Sequence, residues 1–401
     1  MTEVVVAGHI CIDIIPQFDP DTKGEMSALV APGRLTEVGA AALSTGGAVS
    51  NVGLSLHRLG IETALMGKVG EDLFGGAILD IVRRYGEELA AGMVVTPGAV
   101  TSYSVVINPP HLDRAFLHCG GANHDFGADD VRYELLEKAR LFHFGYPPIM
   151  RRTYANGGAE LAAMFRRAKA TGVTTSLDLS MPDPQGPAGR VDWRAVLART
   201  LPYVDIFEPS FEELLFMLAR DRFDELDAAG DLLGGMTPAD LQGLAEQVWA
   251  LGGKVVLLKL GDRGAYLRTP DDFGDFGRAA PEYPVTSVVP DVWRNRELWS
   301  PCFAPKKLVG TTGAGDATIA GFLAAVLRGL GPEGALTMAT AVGACNVEAA
   351  NALDGIRPWE ETVARVRAGW ARQPLPALER GAPGWRWDAA RGLWRGPHDA
   401  G

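Results

Sequence analysis

The chain has 401 residues, 47% hydrophobic and 22% charged, with a formal net charge of −11. Such a composition is ordinary for a globular protein, and the length allows two or three domains or one elaborated α/β core. The acidic balance argues against a general nucleic-acid or anionic-membrane partner. No apolar run of about eighteen residues and no charged-then-apolar leader is visible, so no membrane anchor is expected. The four cysteines (Cys11, Cys119, Cys302, Cys345) are scattered without a CxxC, and the seven histidines show no HExxH. That argues against a disulfide framework and a structural zinc site, and makes a reducing cytoplasm the expected compartment.

In chain order, 4–8 is a short β-branched apolar run, the pattern of a buried parallel strand. Asp13 follows just past its end, where open α/β sheets place ligands; it reads as a turn former or as a substrate group. Residues 16–44 are polar and broken by glycine and proline, with short strands expected at 29–33 and 35–38. Gly46 and Gly47 then precede Asn51 and a helix whose Val52, Leu56 and Leu59 share a face, ended by Gly60. Asp72 is expected to cap the next helix. Residues 101–108 and 114–119 flank a Pro-Pro turn and predict a hairpin.

From Leu141 onward strands and helices alternate, with strands at 141–145, 173–179 and 254–260 and a helix over 158–171. That alternation predicts an α/β fold with a doubly wound, mostly parallel sheet and helices on both faces. Ser210 and Glu213 match a capping box. Gly261 and Gly264 suit close backbone approach after a strand. The long stretch 269–307 carries Trp293 and Trp299, read as a nucleotide cover or an oligomer contact. A helix over 335–350 carries Asn346. Residues 373–401 show no helical or strand period and are expected to be a tail held to the surface by Trp385, Trp387 and Trp394.

The most informative stretch is 308–327. Ile319, Phe322, Leu323, Val326 and Leu327 trace one helix face, closed by Gly329, Gly331 and Pro332. Gly313, Ala314 and Gly315 therefore sit at a helix N-terminus, where unpaired N–H groups and the positive dipole end receive anions such as phosphate. Asp316 reads either as a helix cap or as a working carboxylate, favoured in its ionised form by the dipole. The segment lacks the Lys-Ser/Thr of a P-loop and the spacing of a dinucleotide fingerprint.

Thr311-Thr312-Gly313-Ala314-Gly315-Asp316, followed by Ala317-x-x-Ala320-Gly321-Phe322, resembles the C-terminal signature of the PfkB (ribokinase-like) family of carbohydrate kinases. Gly46-Gly47-x-x-x-Asn51 resembles the family's N-terminal signature, and Gly120-Gly121-Ala122-Asn123 a turn returning to its sugar site. The resemblance spans about 4–358 and implies a kinase domain over 1–372, with a small β-sheet lid drawn from about 16–44 and 99–122. It implies ATP-dependent phosphorylation of a hydroxyl of a sugar or sugar-like substrate. Asp316 would be the base, and Gly313, Ala314 and Gly315 the anion hole for the transferring group. Asp13, Gly46, Gly47, Asn51 and Asn123 would hold the acceptor. Gly261, Gly264, Thr311 and Asn346 would flank the nucleotide, and Glu213 would hold Mg²⁺ through water. Ser210 stands where the family has Asn. Gly310 stands where many relatives carry an Asp that helps bind K⁺, so a K⁺ requirement is doubtful. The implied partners are ATP and a small sugar-like molecule, with no nucleic acid and no membrane; a homodimer is compatible. A nucleoside kinase of the same family and a catalytically silent sugar-binding regulator are the alternatives.

Overall fold

The computed structural model describes residues 2–112, 114–273, 291–379 and 381–401. Its first strands are β1 (Val4–Gly8), β2 (Cys11–Ile15), β3 (Ala42–Gly46), β4 (Thr63–Met66), β5 (Lys68–Gly70), β6 (Val94–Thr96), β7 (Tyr103–Ile107) and β8 (Ala115–Cys119). They are followed by β9 (Leu141–Gly145), β10 (Thr174–Leu177), β11 (Ile206–Phe207), β12 (Val255–Lys259), β13 (Ala265–Arg268), β14 (Glu297–Ser300), β15 (Arg386–Asp388) and β16 (Leu393–Arg395).

Ten of these strands form one sheet in the order β15-β16-β14-β13-β12-β11-β10-β9-β1-β4. From β4 to β12 all pairings are parallel, and from β12 to β15 all are antiparallel. The period of two in the strands explains why helices cover both faces. Val4, Val6, Leu141 and Leu257 enter one core, while Val5, Ala7, Phe142, Phe144, Val256 and Leu258 enter the other. Helices Ala48–Arg58, Ala314–Leu327 and Pro332–Asn346 supply the first core; Arg151–Ala170, Phe211–Leu218 and Pro238–Ala250 supply the second. The expected doubly wound sheet is present, with an antiparallel extension beyond β12.

The helix Ala314–Leu327 departs from its expected single apolar face. It is enclosed on all sides, with every residue from Ile319 through Leu327 buried. Phe322 alone, fully buried against Trp293 at 6.1 Å, is worth about 1.5–3 kcal/mol of transfer free energy. Such all-round burial makes this helix a rigid platform for whatever its N-terminus carries.

A second sheet, in the order β3-β2-β7-β8, forms the small lid. The 103–119 hairpin is as expected, with Asp113 outside the described residues. The strands expected at 29–33 and 35–38 do not form. Met26–Leu29 is a short helix, and Leu35 is 88% exposed. Nothing there alternates against a neighbour, whereas 42–46 pairs with β2 along its length. Asp13 likewise lies within β2, opposite Ser44 and Ser104, rather than just past β1.

Two readings of the C-terminal region are corrected. Part of 269–307 lies outside the described residues. Trp293 and Trp299 are 2% and 1% exposed and belong to the cores, not to a nucleotide cover or a surface contact. Residues 373–401, expected as a surface tail without strands, supply β15 and β16, which pair with each other and then with β14. Trp385 packs edge-on against Trp299 at 5.9 Å, so the tail adds an edge to the sheet and a wall to its core.

Candidate active site

The C-terminal ends of the parallel strands and the start of the 314–327 helix meet at one place, where three cavities adjoin. The first, about 330 Å³, is lined by Gly261, Gly264, Phe303, Leu308, Gly343 and Val347, and is largely apolar. The second, about 500 Å³, lies under the lid and includes Asp13, Asn51 and Thr312. The third, about 370 Å³, contains Tyr146, Asp178, Glu213, Lys259 and Asp316. Thr311, Ala314 and Gly315 line both the first and the third.

Gly313 is the N-cap of the helix, with φ +71. A Cβ there would stand 2.5 Å from the Ala352 Cβ, so glycine is required on both conformational and steric grounds. At Gly315 a Cβ would meet only the Lys259 side chain, at 3.6 Å. The helix start is therefore open towards Lys259, the arrangement an anion needs.

Asp316 is not a cap, since the helix N-terminus has no side-chain cap bond. It is 4% exposed. The Tyr146 hydroxyl donates to both of its oxygens at 2.8 Å, and Asn51 Nδ2 donates to Oδ2 at 3.0 Å. The dipole argument for an easily ionised carboxylate is offset here. Burial raises the Asp316 pKa; the bonds from Tyr146 and Asn51 and the charge of Lys259 pull it back only in part.

Lys259 ends β12, Asp178 follows β10, and Tyr146 follows β9. The Lys259 ammonium pairs with the Asp178 carboxylate and donates to the Glu208 carbonyl at 2.6 Å. Burial disfavours its charge, but the Asp178, Glu213 and Asp316 carboxylates together outweigh that and hold the ammonium above its ordinary range. Tyr146 adopts φ +71, a left-handed conformation that costs a bulky residue energy and that the packing around it must impose. These residues escaped sequence reasoning. Lys259 did leave a signal, as the lone interior cation of an apolar strand. Asp178 was visible only as one more aspartate at a strand end, and Tyr146 left no signal.

The other expected residues divide. Asp13 lines the lid cavity, where burial raises its pKa. Asn51 lines it too, and its Oδ1 is buried without a partner among the described residues. Gly261, Gly264 and Thr311 line the first cavity, and Thr311 Oγ1 accepts from Arg114 at 3.2 Å. Glu213 closes the capping box with Ser210 and also faces the third cavity.

Four expected residues line none of the three cavities. Asn123 spends its amide on the backbone of Ile10, donating to its carbonyl at 2.8 Å and accepting from its N–H at 3.3 Å. It is fully buried and anchors the turn into β2 instead of meeting an acceptor. Asn346 points inward and donates to the Ala352 carbonyl at 2.7 Å. Its neighbours Gly343, Ala344 and Val347 present the cavity-facing side of that helix. At Gly46 and Gly47 the missing side chains leave room for Asp13 and His9. Cβ atoms there would stand 2.4 Å from the Asp13 carboxylate and 2.5 Å from His9, respectively.

A direct metal cage is not built. Among the described residues, no group of three His, Cys, Asp or Glu could hold a metal ion. The carboxylates Asp178, Glu212 and Glu213 around the third cavity do suit a hard cation that keeps most of its water.

The family model for the pfkB family carbohydrate kinases matches residues 1–359. Fructokinase-1 of Zea mays is 27% identical over 329 residues, covering 81% of this chain and 83% of that protein. The fructokinase with bound ATP from Xylella fastidiosa superposes with a TM-score of 0.66 at 19% identity, covering 92% of this chain and 99% of that one. The Arabidopsis thaliana ribokinase complexed with ribose and ATP gives 0.64 at 19%, covering 91% and 98%. The fold, the order of both signatures and the match over most of the chain agree, and the chain belongs to the pfkB family of carbohydrate kinases.

Proposed function

We propose that the chain transfers the γ-phosphoryl group of ATP to a hydroxyl of a sugar or sugar-like alcohol, with Asp316 as the base. The observation that carries this reading is the position of Asp316. It is buried at a helix start that lines two of three adjoining cavities, and tied through Asn51 to the third.

The first cavity, apolar and walled by glycines, takes the adenosine. Gly313 and Gly315 offer N–H groups to the phosphoryl group in flight, while the Ala314 N–H is held by the Thr311 carbonyl at 3.2 Å, and Lys259 adds a fixed positive charge beside them. Asp13 and the free Oδ1 of Asn51 accept hydrogen bonds from acceptor hydroxyls in the lid cavity. Asp316 takes the proton of the attacking hydroxyl, while Tyr146 and Asn51 hold its carboxylate in line. Magnesium, bound with ATP, neutralises phosphate charge; Glu213 and its neighbouring carboxylates face the place where its water shell would lie. The lid sheet keeps bulk water from competing as acceptor. A chain that only sensed sugar would gain nothing from burying a carboxylate at this helix start, which weighs against a silent regulator.

The test is ADP release across a panel of sugars, sugar alcohols and nucleosides, with Asp316→Asn as the control. Acceptor-dependent ADP release that the variant loses is expected. No acceptor-stimulated release from any member would refute the proposal. A nucleoside preferred over all sugars would move the assignment to nucleoside phosphorylation.

A further inference from the structure

We infer that the acceptor carries an anionic group, a carboxylate or a phosphate ester, in addition to the hydroxyl that reacts. This rests on the kinase reading above and narrows its substrate class.

The lid cavity is lined by three charged side chains: Asp13, Arg84 and Arg114. The two arginines reach it from different elements, Arg84 from the end of the Leu73–Arg83 helix and Arg114 from the strand-entry side of the lid hairpin. Neither has a carboxylate partner among the described residues. Among the described residues Arg114 donates to the Thr311 hydroxyl, at 3.2 Å, and its guanidinium lies 5.9 Å from the centre of the Phe116 ring. The contrast with the adjacent residue is informative. Arg83 pairs with Asp80 and Glu87, at 3.4 and 3.3 Å, on the outer side of the same helix. An arginine near a helix C-terminus is favoured by the dipole, which accounts for an arginine at position 84. It does not account for a second guanidinium on the same cavity.

The chain as a whole carries −11, so a cavity in which cations outnumber carboxylates departs from the general surface. A neutral sugar needs hydroxyl partners, and Asp13, Asn51, Asn108 and Ser44 already supply them there. Guanidinium groups add what a neutral sugar does not use: planar, paired donors that match a carboxylate or phosphate. Two of them on one cavity, neither with a carboxylate partner among the described residues, point to an oxyanion on the ligand.

The experiment is an ADP-release assay on the full chain with three acceptor arms: neutral sugars and polyols, aldonic and uronic acids, and sugar monophosphates. The kcat/KM for one charged arm is expected to exceed that for the neutral arm, and which arm it is separates carboxylate from phosphate. Arg84→Met and Arg114→Met should each raise KM for that arm by roughly ten- to a hundredfold, the usual cost of a hydrogen bond to a charged group, with a smaller change in kcat. Added salt should raise the same KM. Neutral acceptors preferred by both variants and wild type alike would overturn the inference and leave the kinase reading intact. A loss for Arg114→Met that is equal for every acceptor, with Arg84→Met indifferent, would place Arg114 on the nucleotide and also overturn it. If no arm is turned over, the kinase reading fails. Thermal shift by the sugar acids and phosphates without ATP then decides the anion site separately: a shift abolished in Arg84→Met supports it, and no shift refutes it.

Discussion

Replacing Asp316 with asparagine separates the chemistry of this site from its structure. The native carboxylate is 4% exposed and accepts one bifurcated hydrogen bond from the Tyr146 hydroxyl, at 2.8 Å to each oxygen, and one from Asn51 at 3.0 Å. Asparagine keeps the volume and one acceptor oxygen, but it cannot take a proton. Loss of a positioned general base costs roughly 10²–10⁴-fold in turnover, about 3–5 kcal/mol on the barrier. ATP should bind at least as well, because one negative charge near the phosphates is gone. Stability gives a second, independent readout. Burial raises the Asp316 pKa above its unfolded value. A carboxylate with a raised folded pKa contributes stability below its unfolded pKa and loses it as pH rises through the folded pKa. At neutral pH the native state therefore bears a buried charge that asparagine removes, and no helix cap is lost. The variant should melt at or above the wild-type temperature at neutral pH, with the difference shrinking on acidification. Steady-state ADP release and melting curves across pH measure both. Wild-type turnover in Asp316→Asn would refute the base assignment. A clearly lower melting temperature at neutral pH would refute the burial argument.

Three further outcomes are expected. Tyr146→Phe removes one of the hydrogen bonds that lower the Asp316 pKa, so the acid limb of the kcat/KM profile should move to higher pH; an unmoved limb would show that Tyr146 does not act on the base. Lys259→Met leaves Asp178 buried without its cation, which should destabilise the fold by roughly 3–5 kcal/mol. Adding Asp178→Asn should recover part of that loss in denaturant melts, and strictly additive losses would count against the pair. Finally, Gly310 offers no carboxylate, and its near surroundings are the backbone of Ala349 and Ala350. Turnover should change little when K⁺ replaces a bulky organic cation, and a large saturable rise would contradict this.

The sequence by itself determined the layered α/β fold, the helix start at Gly313 to Gly315 and the place of Asp316 in its first turn. Those depend on local physics: period-two apolar runs, glycine where φ must be positive, and one short signature contiguous in the chain. What only the tertiary structure decided involves partners far apart in sequence. Asn123 and Asn346 carried the right chemistry for a ligand, but side-chain direction sent one to the Ile10 backbone and the other to Ala352. Lys259, Asp178 and Tyr146 follow three different strands and become one site only because β9, β10 and β12 end on the same side of the sheet. The last residues of the chain look structureless alone because two three-residue strands have too little pattern to read. They form because β14 presents an unpaired edge, and that edge exists only once the sheet has folded.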